Sequence, residues 1–124
     1  MSTNRRLLHH GQRCSVYFLV TGTRCRAIEF LESLQPKDRS KANAALRYVA
    51  DYGPPQNEQK YRHLQAPVPL WELKPTSQVR FIGFWDGPAD FVITHGFFKR
   101  RSSDTHREIQ TALRLRDEYY ADRN

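Results

Sequence analysis

Between Leu70 and Arg101 the chain carries Lys74, Arg80, His95, Lys99, Arg100 and Arg101 within or beside apolar, aromatic-rich runs. These are the residue types that bind phosphate and move protons without a metal. An arginine inside a strand-like run such as Val79-Arg80-Phe81-Ile82 must be paired, turned to a working face, or costly. A guanidinium fork matches two phosphate oxygens, and a lysine supplies a point charge or, when neighbouring cations depress its pKa, a base. Cations set on the central strands of a small basic protein suit a phosphate-rich partner.

Composition supports that direction. Lys and Arg number 20 against 13 Asp and Glu, giving a net charge of +7. Such a field attracts RNA, DNA, an anionic membrane or an acidic protein, and charge alone does not choose among them. From Met1 to Ile28 there are five arginines and no acid. The longest apolar run there, Val16 to Val20, is far too short for a signal segment or a membrane span, so the expected compartment is the cytoplasm. A length of 124 residues predicts one domain. Cys14 and Cys25 fit neither a redox pair nor a zinc knuckle and are expected to be reduced thiols; no metal and no cofactor is expected.

The elements that must position these residues can be read from spacing. Residues 1–13 are polar and aperiodic and are expected to be a flexible basic arm, with the domain spanning 14–124. Ser15 to Val20 predicts a first strand. Ala27, Ile28, Leu31 and Leu34 predict a helix over Arg24 to Leu34, and Ala42, Ala45, Leu46 and Val49 a second, opened by Pro36 and ended by Gly53-Pro54-Pro55. The proline-rich stretch from Gly53 to Pro69 is expected to be an ordered loop. Strands at Leu70 to Lys74, Val79 to Trp85 and from Phe91 follow, with turns between them. A last helix is predicted behind a Thr105-x-x-Glu108 capping box, with Ile109, Ala112, Leu113 and Tyr120 on one face. The expected class is α+β: a small antiparallel sheet in the order strand-helix-helix-strand-strand-strand-helix, with a helical hairpin packed on one face.

Leu70-Trp71-Glu72-Leu73-Lys74, Arg80 in an apolar strand, His95-Gly96-Phe97-Phe98-Lys99-Arg100, and Glu108-Ile109 with Ala112-Leu113-Arg114 together resemble the RelE/ParE toxin superfamily, in particular its phage-derived Gp49-like and HigB-like branch. The resemblance covers roughly Ser15 to Tyr119. It implies a RelE-like fold and the toxin of a type II toxin-antitoxin system. That toxin would be a metal-independent endoribonuclease that cuts mRNA on the ribosome and is neutralised by a helix-turn-helix antitoxin of the HigA-like kind.

Such a reaction needs a base for the 2′-hydroxyl, cations for the charge that grows on the phosphate, and an acid for the 5′ oxygen. Arg80 is the expected phosphate stabiliser, the alternative being an arginine paired with Glu72. Lys99 and Arg100 match basic family positions at the rim of the last strand, and Lys74 stands where relatives usually carry arginine. His95, expected on the same face as Ile93 and Phe97, is either a catalytic base or a hydrogen-bonded core residue. Arg100, Arg101, Tyr61, Arg62 and Tyr119 are candidate RNA contacts, each with a packing or solvation alternative. Gly83 stands where relatives often carry an aromatic, which would remove one platform for stacking a base. Two other readings of the same resemblance are a ParE-like gyrase inhibitor, which has no need of catalytic cations, and an inactive protein that only binds RNA or an antitoxin.

Overall fold

A computed structural model of the chain describes residues 2–123. Six strands and three helices alternate as β1 (Thr3–His10), β2 (Ser15–Thr21), α1 (Arg26–Ser33), α2 (Pro36–Tyr52), β3 (Tyr61–Leu64), β4 (Leu70–Leu73), β5 (Val79–Trp85), β6 (Asp90–Phe98) and α3 (Ser102–Arg123). The strands form one sheet in the order β1-β2-β6-β5-β4-β3. The class is α+β, and the sheet is mixed rather than antiparallel. Neighbours joined by short turns pair antiparallel, whereas β2 and β6, separated by the helical hairpin and three strands, lie parallel as the second and third strands of the sheet.

Two strands occupy stretches expected to be irregular. Thr3–His10 is not a loose arm: it pairs along β2, and the Thr3 amide donates to the Asp122 carboxylate. Its arginines and histidines conceal the strand because an edge strand satisfies its backbone through one neighbour and can keep charged side chains in water. β3 lies in the proline-rich stretch and pairs with β4. It is too short to show a period.

The helices do not share one side. The hairpin of α1 and α2 buries Leu31, Leu46 and Val49 against Phe18, Phe81 and Ile93. On the opposite face α3 buries Ile109, Leu115 and Tyr119 against Ile82, Phe84 and Phe97. α3 begins one turn before the predicted cap. Asp104 caps it, its Oδ2 accepting the backbone N–H groups of Arg100 and Arg101, both at 2.9 Å. Thr105 instead faces inward and is buried.

Ile82 on β5 pairs with His95, but the next residue, Gly83, pairs with Ile93, so Thr94 is left out of the register. The bulge reverses the alternation. Ile93 joins the hairpin-side core while Phe97 joins the α3 side, and His95 reaches Glu108 on α3. The expectation that residues 93, 95 and 97 share a face fails at that single inserted residue. It also explains Gly83, where a Cβ would meet the Val92 carbonyl oxygen at 2.7 Å and the Phe91 ring at 2.8 Å. Gly83 lies under Phe91 on the face away from Arg80, so an aromatic there would not serve as a platform beside that arginine. Gly83→Ala is therefore expected to cost about 1–3 kcal/mol in chemical denaturation, and a variant as stable as the parent would contradict the close approach.

Candidate functional site

Glu72 stands in the middle of β4 with no solvent exposure. A carboxylate there is tolerable only if it is paired. Its Oε1 accepts from Arg62 Nε at 2.8 Å and from Arg80 Nη1 at 3.4 Å. Arg80 also donates through Nη2 to the Ser77 carbonyl at 2.6 Å. Glu72 Oε2 and Arg80 Nε have no hydrogen-bond partner among the described residues. Pairing across the sheet sets this arrangement, because Arg62 is opposite Glu72, and Glu72 is opposite Ile82, which in turn is opposite His95.

The two arginines open onto a cleft of about 390 Å³ whose other walls are Glu58, Gln59 and Lys74. Arg80 is thus both the partner of Glu72 and a wall of the cleft. Lys74 Nζ donates to the Glu58 carbonyl at 2.9 Å. Burial, then the Arg62 charge, hold the Lys74 ammonium below its ordinary pKa; Arg80 and Lys99 add to the effect and Glu72 opposes it. Lys99 follows β6, and its backbone N–H donates to the Gln78 carbonyl at 2.7 Å, which carries the β5–β6 pairing to the rim. Arg62, Lys74 and Arg80 line one cleft with Lys99 near enough to be felt, an arrangement suited to gripping a phosphodiester.

Other sequence-predicted residues lie elsewhere. His95 is buried, with Nδ1 bonded to Thr94 Oγ1 and Nε2 to Glu108 Oε1, each at 2.9 Å. Both ring nitrogens are occupied by protein, as a hydrogen-bonded core histidine requires. Tyr61 is core: its ring stacks on Trp71 at 4.9 Å, and its hydroxyl accepts from Trp85 Nε1 at 2.9 Å. Burial pushes its pKa up. Tyr119 is also buried, at the far end of α3, where its hydroxyl donates to Asp86 Oδ2 at 2.6 Å. Burial and that carboxylate push its pKa up to about 12. Neither tyrosine lines the cleft. Arg100 is exposed, with its guanidinium 5.2 Å from the Phe98 ring, and Arg101 is exposed, 3.6 Å from Asp104.

Glu72 is what the residue pattern undervalued. The sequence offered it only as a partner for Arg80, whereas it anchors Arg62 as well. An acid alternating with apolar residues inside a short strand was the available signal. Both cysteines are free thiols, Cys14 buried and Cys25 partly so, and among the described residues no helix is long and apolar enough to cross a membrane.

The His95 hydrogen bond, ahead of the Arg107 charge, lowers the Glu108 pKa below its ordinary 4.5. A carboxyl whose folded pKa is depressed stabilises the fold above the unfolded value and loses that contribution as pH falls through the folded value. The melting temperature of the parent should therefore fall more steeply below pH 4.5 than that of Glu108→Gln. Parallel curves for the two proteins would contradict the coupling.

The family model for "Phage derived protein Gp49-like (DUF891)" matches residues 29–117, which includes both arginines, Glu72, Lys74, His95 and Lys99. No curated protein matches the chain. The match runs from α1 into α3 over more than half of the sequence, and the family is related to toxin-antitoxin proteins. It agrees with the branch of the RelE/ParE-type toxins that the motifs indicated. The chain belongs to the Gp49-like phage-derived protein family.

Proposed function

We propose that the protein is the toxin of a type II toxin-antitoxin system, an endoribonuclease that cuts translated mRNA on the ribosome and is held inactive by a helix-turn-helix antitoxin. The observation that carries this reading is the convergence of Arg62, Lys74 and Arg80 in one cleft. A gyrase-binding inhibitor would have no chemical use for such a cleft. Acting on ribosomes, the toxin works in the cytoplasm.

The cations divide the reaction among them. Lys74, as the neutral amine that its lowered pKa makes more accessible, takes the proton from the 2′-hydroxyl and becomes the ammonium. The freed oxygen attacks the adjacent phosphorus and the bond to the 5′ oxygen breaks, leaving a 2′,3′-cyclic phosphate. Arg80 and Arg62 carry the charge that grows on the non-bridging oxygens, and because Glu72 already fixes them, little reorganisation is needed at the moment of reaction. Lys99 at the rim returns a proton to the leaving 5′ oxygen, and Arg100 and Arg101 attract the flanking backbone. His95 contributes from outside the cleft by tying β6 to α3 through Glu108.

Purified protein, ribosomes and a translated message test the reading. Arg80→Ala would take away one of the two partners of a buried carboxylate, leaving Arg62 alone on it, at a cost of up to about 3–5 kcal/mol, so Arg80→Lys and Lys74→Ala are the informative variants. Each should keep the parent melting temperature within a few degrees and cut about 10²–10³-fold more slowly. Wild-type protein that leaves the message intact, or variants that cut as fast as the parent, would overturn the proposal.

A further inference from the structure

A second cleft of about 560 Å³ adjoins the first, because Glu58 and Arg62 line both. It lies between the end of β3 and the first turns of α3. Its composition differs from that of its neighbour. The first cleft sets three cations against one acid, whereas the second has Arg62, with Nε already committed to Glu72, against Glu58. A second phosphate would find little to hold it there. Leu64 and Ile109, both buried, supply an apolar lining. Gln65 and His106, both exposed, and the hydroxyl-bearing Thr105 supply uncharged polar groups around it. The Thr105 hydroxyl is buried without a partner among the described residues. His63 also borders the cleft, but its ring packs edge-on against Trp71, with 4.8 Å between centroids.

An apolar lining with neutral donors and acceptors suits a planar, uncharged ring with a hydrogen-bonding edge. We infer that the second cleft receives a nucleobase of the RNA whose phosphate lies in the first, so that Gln65 and His106 set base preference. The inference rests on the ribonuclease reading and deepens it. An amide presents both a donor and an acceptor to a base edge, and an imidazole presents a flat face for stacking. Arg62, common to both clefts, fixes the spacing between phosphate and base.

The test is a fluorescence titration with short 2′-O-methyl RNA oligonucleotides, which lack the attacking hydroxyl, differing at one internal position among the four bases and an abasic residue. The wild type should favour one base over the abasic oligonucleotide on the order of tenfold. Gln65→Ala and His106→Ala, both at exposed positions, should bring the four bases together at the abasic value. Equal affinity of the wild type for all five, or a preference that survives in both variants, overturns the subsite. If that base-independent binding is still weakened in Arg80→Lys, the phosphate cleft stands and only the subsite falls. No binding by the wild type overturns both.

Discussion

The Glu72 carboxyl group lies on a strand with no access to solvent, and the cleft is organised around the two arginines that pair with it. Replacing such a carboxylate by an apolar side chain could be neutral or even stabilising, but removing one of its partners is costly, so the three residues constrain one another. Arg62 on β3 and Arg80 on β5 approach the same oxygen from opposite neighbours of β4. Each guanidinium is thereby held at the floor of the cleft while other N–H donors remain for a ligand. A protein that only needed to fold could fill β4 with another apolar residue. On the proposed function, the buried ion triad orients two forks toward one anion before the anion arrives.

The rest of the sheet supports that placement. The bulge at Thr94 turns His95 toward α3, and the His95–Glu108 bond then joins the centre of the sheet to the second turn of that helix. Asp104, one turn earlier, collects the backbone N–H groups of Arg100 and Arg101 and so fixes the corner after β6 where the basic run lies. At the other end of the sheet, Asp86 accepts from Tyr119 and lies 3.6 Å from Arg5 and 3.8 Å from Arg123. That cluster joins β1, the β5–β6 turn and the end of α3, far from the cleft along the helix. The two ends separate the work: one holds the fold closed and the other presents cations.

Much of this was legible in the residues. The helices announced themselves through three- and four-residue spacing, and Pro36 and Gly53 mark the bounds of α2 as physical stops: the ring opens the helix, and Gly53, at φ 85°, ends it. The strands from Leu70 onward were visible as apolar runs between turn residues. β1 and β3 were not, because an edge strand of arginines and histidines has no apolar alternation and β3 has only four residues. The parallel β2–β6 contact and the two-sided helix arrangement are properties of long-range pairing, which local pattern does not encode. Within the site, Arg80 and Lys74 were legible as cations in or beside strands, whereas Arg62 was read as a loop residue because β3 was not visible. For Tyr61 and Tyr119 the sequence left an RNA contact open beside packing or solvation, because an aromatic ring near basic residues has the same signature whether it meets a base or a core, and the structure buries both.

The most direct measurement is a crystal structure of the protein with a short 2′-O-methyl RNA. A phosphate within hydrogen-bonding distance of Arg62, Lys74 and Arg80, with Glu72 still accepting from both arginines, is the result the account predicts. RNA seated on the hairpin face or against the Asp86 cluster, with the three cations unengaged, would contradict it.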